Sequence, residues 1–298
     1  MKRQVRACAI LMAAVMTGCC TERIVPPAAK DRATVVKGAW RPTLPSAWKG
    51  KKVAFLGDSI TDPAHVGCTA NYWNYLPDLL GIDAYVYGKN GWRMDGMLTQ
   101  AEWLKNELGD EVDAIFVLAG TNDYNGSVPR GEWYEEREET VNRSDGPARL
   151  KHRVLSMNAT TFRGRLNRLL GYLKHNFPRQ QIVLMTALHR GYATFGPANV
   201  QPDETFGNLR GEFIDDFNAD IREAGRRWSV PVLDLFERCG LYPNEPEHVP
   251  YFHRADTDML HPSAAGHRRI AETMAYWMLT IPPGFDRPGV PPVGGRES

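Results

Sequence analysis

The chain has 298 residues, 43% of them hydrophobic and 24% charged, with a net charge of +1. That is enough apolar material for one large domain or two small ones, and the charge balance excludes a general pull toward nucleic acid or anionic membrane surfaces. No internal repeat is visible, and beyond the N-terminus no apolar run is long enough to span a bilayer.

The N-terminus differs in kind. Lys2, Arg3 and Arg6 precede the apolar run Ala7–Thr17. This is the pattern of a secretory signal, which is set aside from the fold. The stretch MTGCC that follows resembles a bacterial lipoprotein signal. The resemblance implies residues 1–19 as signal, with Cys19 acylated and Cys20 as the alternative. The protein would then be exported and held at a cell-envelope membrane by lipid rather than spanning it. An ordinary signal peptide is the other reading. Residues 20–48, with PPAAK and RPTLPS, read as an extended tether. Residues 49–282 read as the folded domain and 283–298 as a Pro/Gly-rich tail. Cys68 and Cys239 remain in the folded part, either paired or as separate thiols. They lack His neighbours at ligand spacing, so no metal site is expected.

Strand and helix patterns then alternate. Lys52–Leu56 is a short apolar run ending in Gly57, and Ala84–Tyr87 is a second, ending in Gly88. Ala114–Leu118, Ile182–Thr186 and Val232–Leu235 follow. Between them, Phe162, Leu166, Leu169, Leu170 and Leu173 share one helical face. So do Leu209, Phe213, Phe217, Ile221, Ala224 and Trp228. Ile270, Met274 and Trp277 mark a last helix. Tyr72 and Trp73, on the first helix, read as core. The pattern predicts an α/β/α sandwich around a five-stranded, mainly parallel sheet of flavodoxin-like order. The functional crevice of such a sheet lies at the carboxyl ends of its strands.

Four polar or glycine-rich segments fall on that rim. They are Gly57-Asp58-Ser59, YGKNGWR (Tyr87 to Arg93), GTND (Gly120 to Asp123) and DMLHP (Asp258 to Pro262). A serine on such a turn is a common turn residue, but here it meets partners for nucleophilic chemistry. A serine hydroxyl needs a base, and His261 fits. Asp258, three residues earlier, can hold the imidazole tautomer. A tetrahedral intermediate needs donors, and the amides of Ser59 and Gly91 and the side-chain amide of Asn122 are suitable.

GDSI, the glycine turn, GTND and DxxH in this order resemble the GDSL or SGNH hydrolase family, from about Val53 to about Leu279. The resemblance implies the SGNH hydrolase fold. It implies Ser59 as nucleophile, His261 as base and Asp258 as its partner. Ser59, Gly91 and Asn122 would form the oxyanion hole. Tyr87 stands where the family's second block often has Asn, so Gly88 is the other candidate for the backbone donor. No metal or organic cofactor is needed.

Asp58 and Asp123 read either as site residues or as partners of the turn backbone, the more ordinary role. His189 either contacts substrate or holds its loop. His65, His248 and His253 read as surface residues of loops. Residues 124–158 form a long charged insertion that reads as an uninterrupted loop of the kind that acts as a lid. Gly191 to Asn208 is a second long segment. Trp92 and Arg93 are the residues most expected at substrate, with Tyr124 beside them. The insertion is rich in Glu and Arg rather than leucines at helical spacing, which favours a polar substrate. The expected activity is hydrolysis of short acyl esters, O-acetyl groups on carbohydrate in particular. A lipid-directed esterase such as a lysophospholipase or thioesterase is the alternative. A carbohydrate-binding lipoprotein without catalysis is a third possibility.

Overall fold

The computed structural model describes residues 33–37 and 46–285. Thr34–Lys37 forms β1 and Lys52–Gly57 forms β2. Helix α1 (Tyr72–Leu80) follows, then β3 (Asp83–Val86), α2 (Met94–Leu108), β4 (Ala114–Leu118) and the short α3 (Thr121–Asn125). Next come β5 (Tyr134–Arg143), β6 (Gly146–Leu155), α4 (Phe162–Asn176) and β7 (Gln181–Met185). Then come β8 (Ala193–Thr194), β9 (Val200–Gln201), α5 (Ile214–Trp228), β10 (Val232–Leu233) and α6 (Leu235–Arg238). Last are β11 (Phe252–Arg254), β12 (Asp258–Pro262) and α7 (Ala264–Met278).

The main sheet runs β1-β3-β2-β4-β7-β10. All its pairs are parallel except β1 with β3. The five parallel strands therefore have the flavodoxin-like order expected. Their residues are buried on both faces, as parallel strands under helices must be. Val53 and Phe55 join Leu76, Ile270 and Met274 under α1 and α7. Ala54 and Leu56 join Met97, Leu166 and Ile221 under α2, α4 and α5. Fully burying one such side chain is worth about 2 kcal/mol, and two continuous cores fix the sheet between them.

Several expectations change. Within the stretch read as a tether, Thr34–Lys37 is extended but paired to the sheet edge. Trp48 is buried against Phe116, and its Nε1 donates to the Met278 carbonyl at 2.7 Å. The folded unit thus reaches back before residue 49. At the other end, Phe285 N–H donates to the Arg179 carbonyl at 2.8 Å, so the tail begins against the domain. The signal segment and Cys19 lie outside the described residues. Cys68 and Cys239 are free thiols. Helix α5 starts at Ile214, not before Leu209. Gly207 and Gly211 interrupt the run, and Asn208 Oδ1 accepts the amides of Arg210 and Glu212 in a tight turn. Leu209 sits on that turn, 98% exposed.

The insertion is a β-ribbon instead of an uninterrupted loop. β5 and β6 pair antiparallel from Tyr134↔Leu155 to Arg143↔Gly146. Its root is held on α4: Asn167 Nδ2 donates to the carbonyls of Trp133 and Ser156, at 3.2 and 2.9 Å. Trp228 Nε1 donates back to Asn167 Oδ1 at 2.9 Å. The guanidiniums of Arg163 and Arg227 lie 5.5 and 5.1 Å from the Trp133 ring centre. The ribbon is anchored on the helical flank, which argues against the lid expected from its length.

Candidate active site

The β2 strand ends on Gly57 because nothing larger fits. A Cβ there would meet Thr61 Oγ1 at 2.2 Å and the Leu118 carbonyl at 2.8 Å. Gln100, buried on α2, closes the strand end with two bonds. Its Oε1 accepts the Gly57 amide at 2.8 Å, and its Nε2 donates to the Gly57 carbonyl at 2.9 Å. The turn beyond is held by side chains. Asp58 Oδ1 accepts the Ile60 amide at 3.1 Å. Asn71 Nδ2 donates to the carbonyls of Ile60 and Asp62, and Trp73 Nε1 to that of Thr61. Ser59 is thereby fixed at the carboxyl edge of the central strand.

Asp258 and His261 lie on β12, in a separate sheet of order β11-β12-β8-β9. Residues three apart on a regular strand point to opposite faces. The register breaks here. Phe252 pairs with Pro262 and Arg254 with Asp258, so three residues of β12 face one of β11. This bulge turns both side chains to one side. Asp258 Oδ1 also accepts the amides of Leu260 and His261, at 3.2 and 3.0 Å, which shapes the bulge.

The three side chains meet. His261 Nδ1 lies 2.9 Å from Asp258 Oδ2 and 3.1 Å from Oδ1, and its Nε2 lies 2.9 Å from Ser59 Oγ. With Nδ1–H donating to the carboxylate, Nε2 is free to accept the serine proton. Each of the three residues is 4% exposed. Burial pushes the Asp258 carboxyl up, but the His261 hydrogen bond and charge and the two amides outweigh it, so its pKa falls below the usual range.

The candidate oxyanion donors converge on the same edge. In the turn after β3, the amide of Lys89 is engaged by the Gly57 carbonyl, that of Asn90 by Asp62 and that of Trp92 by the Lys89 carbonyl. Gly88 packs on the neighbouring turn, where a Cβ would lie 2.5 Å from the Thr61 backbone. Gly91 has φ +76° and open space around it, the left-handed conformation that favours glycine. Asn122 Nδ2 donates to the Trp92 carbonyl at 2.9 Å, with its second N–H still available. Asp123 is structural: it accepts the Met94 amide and binds Arg165, each at 2.8 Å. Burial raises its carboxyl to about 6 against those two partners. Burial raises Asp58 to about 7.

The expected substrate contacts divide. Trp92 and Arg93 line an open cleft of about 530 Å³ with Gly91, Asp95, Gly96 and Thr99. The Trp92 ring lies on Gly96, whose Cβ would meet it at 2.5 Å. Tyr124 is corrected: it is 4% exposed, its hydroxyl donates to the Phe206 carbonyl at 2.6 Å and its own carbonyl accepts from Asn208. It fastens the 203–208 loop to α3. His189 is held by Glu204 at 2.7 Å and stacked on Phe236 at 3.6 Å, which satisfies the loop-holding reading. Phe195, in the β8–β9 loop, was not expected. Its ring lies edge-on to His261 at 5.5 Å. Gln100, Asn71 and Phe195 are isolated residues without a spacing pattern, and only the length of the Gly191–Asn208 segment pointed toward the last.

A serine, a histidine and an aspartate bonded in line beside the carboxyl edge of a parallel sheet have the arrangement that nucleophilic hydrolysis requires. The profile of the GDSL-like lipase/acylhydrolase family matches residues 55–269, and the chain belongs to that family. A protein of solved structure from Lactobacillus plantarum is similar over 77% of this chain and 97% of its own, at 26% identity and a TM-score of 0.60. A possible lipase from Chitinophaga pinensis is similar over 76% and 96%, at 21% identity and a TM-score of 0.54. No curated protein matches the chain.

Proposed function

We propose that the protein removes short acyl groups, O-acetyl in the first place, from carbohydrate. The reaction would run through an acyl-enzyme on Ser59. The observation that carries this reading is the Asp258–His261–Ser59 relay, with both links at 2.9 Å. Ser59 Oγ attacks the ester carbonyl carbon as its proton passes to His261 Nε2. The amides of Ser59 and Gly91 and the free N–H of Asn122 hold the resulting oxyanion. Collapse expels the alcohol, which takes the proton from His261. Water then attacks the acyl-serine by the same route and releases the carboxylic acid.

Two features support a small acyl group on a polar alcohol. The enclosed cavity behind the nucleophile turn, lined by Asp58, Ile60, Leu118, Ala119, Thr121, Ala187, Leu188, His189 and Leu260, measures only about 10 Å³. That is at most a single water, so no long acyl chain fits behind the turn. On the other side, the cleft past Gly91 offers one tryptophan ring framed by Arg93, Asp95 and Thr99, a setting suited to a sugar face with hydroxyls around it. A lipid-directed reading has one observation in its favour: Phe195, Phe206 and Leu209 are exposed on the loops beside the site. The lipoprotein-like N-terminus supports a place at the cell envelope. Hydrolysis of p-nitrophenyl esters from acetyl to dodecanoyl, with Ser59→Ala as blank, separates the readings. A Ser59-dependent rate highest at acetyl is expected, while a maximum at long chains would transfer the activity to lipids.

A further inference from the structure

Arg190 follows the fourth parallel strand of the sheet and is 1% exposed. Its Nη2 donates to Gln201 Oε1 at 2.8 Å and its Nη1 to Thr121 Oγ1 at 3.3 Å. The Tyr124 ring centre lies 5.3 Å from the guanidinium. The Nε–H is buried without an acceptor. Among the described residues Arg190 forms no ion pair. Glu204, its near acidic neighbour, is engaged by the Arg190 backbone amide at 2.8 Å and by His189 at 2.7 Å.

A guanidinium stays charged in proteins, and keeping one dry without a bonded anion is costly. Hydrogen bonds to neutral groups offset only part of that cost. The placement gives the charge a use. Thr121 directly precedes Asn122, and Asn122 holds the Trp92 carbonyl next to Gly91. On its other arm, Gln201 belongs to β9, which pairs with β8; β8 pairs with β12 at Ala193↔Asp258. Arg190 therefore stands between the strand that carries the base and the helix that carries the oxyanion donor.

We propose that Arg190 is a positioning residue for the oxyanion hole, fixing Asn122 through Thr121 and keeping a positive charge on the side of the site where the oxyanion forms. The inference rests on the esterase reading above. It is tested in the full chain with Arg190→Met, Arg190→Lys, Thr121→Val and the Arg190→Met/Thr121→Val double variant. The readouts are kcat and KM on p-nitrophenyl acetate, the rate of Ser59 labelling by a fluorophosphonate, and thermal melting. Arg190→Met should lower kcat and the labelling rate by about 30-fold, less than the loss of a direct oxyanion donor, with KM within about 2-fold. Arg190→Lys, which keeps the charge, should recover most of that loss. Thr121→Val should cost about 5-fold alone and nothing further on top of Arg190→Met, since contacts acting through one another are not additive.

A wild-type kcat in Arg190→Met, a loss confined to KM, or additive losses in the double variant would overturn the proposal. If Arg190→Met shows no melting transition, Thr121→Val decides, and an unchanged kcat overturns it. A wild-type chain that hydrolyses no ester and takes no label overturns the esterase reading as well. Wild-type activity indifferent to Arg190 overturns this inference alone.

Discussion

At the carboxyl edge of the sheet, Ser59, Asp258 and His261 are almost fully enclosed and every turn is tied by buried side chains. Along β5 and β6 nearly every side chain faces water. Ion pairs cross between the strands, such as Glu136 with Arg153 at 3.0 Å. Exposed ion pairs of this kind contribute little each, and a two-stranded ribbon alone is marginal. The ribbon therefore depends on its root, where Trp133 packs against α4 and α5, whereas the rim depends on a network spread over four segments. Changes at the rim should alter chemistry first, and changes along the ribbon should alter almost nothing.

The largest expected effect is that of Ser59→Ala. It should cut kcat by about 10⁴-fold or more and leave the melting temperature where it was, because the hydroxyl is not among the bonds that hold the turn. A comparable loss on removing the ribbon would break the contrast between the two regions. Next, Gln100→Leu should remove both bonds to Gly57 and leave its amide unpaired, while its carbonyl keeps the Lys89 amide. A destabilisation of about 1–3 kcal/mol by urea unfolding should accompany a kcat loss of about 10-fold or more. A chain that loses stability but keeps kcat would show that the nucleophile turn holds its shape without Gln100.

His267 sharpens the comparison through pH. It is fully buried under α1, accepts the Tyr72 amide at 3.2 Å, and burial holds its pKa down to about 3. Its folded value lies below the unfolded value of about 6.5. As pH falls from 6.5 toward 3, the unfolded chain binds a proton that the folded chain refuses. The neutral ring's contribution is fully present above 6.5 and is lost on acidification, at about 1.4 kcal/mol per pH unit. The stability deficit of His267→Gln against wild type, measured by unfolding at several pH values, should therefore shrink on acidification below pH 6.5. A deficit constant with pH would contradict the burial argument. The smallest effect is expected from replacing residues 136–153 with an Asn-Gly turn. Activity on p-nitrophenyl acetate should stay within about 2-fold, and a larger fall would return the ribbon to the substrate path.

The same contrast explains what the sequence made legible. The parallel strands announce themselves as short apolar runs, the first two ending in Gly, and the relay shows in the Ser59 turn and the Asp258–His261 spacing, because chemistry restricts those residue types. The bulge that lets Asp258 and His261 share a face left no pattern, since it is set by pairing with β11. The ribbon was hidden because neither of its faces is apolar, so strand alternation carries no hydrophobic signal. Its one clue was Asp145-Gly146, a dipeptide common in hairpins, although the turn itself is Ser144-Asp145, with Gly146 already paired to Arg143. Gln100, Asn71 and Arg190 act singly, by reaching backbone or side-chain atoms distant in sequence. Thr34–Lys37 was too short to stand out from its proline-rich surroundings.

The central claim, acyl transfer through Ser59, is tested most directly by rapid mixing with p-nitrophenyl acetate, acid quenching, and mass analysis of the peptide that contains Ser59. The account predicts that this peptide gains the mass of one acetyl group in wild type and none in Ser59→Ala, with a burst of p-nitrophenol of matching amplitude. Turnover without any acetylated Ser59 peptide, or acetylation that persists in Ser59→Ala, would contradict it.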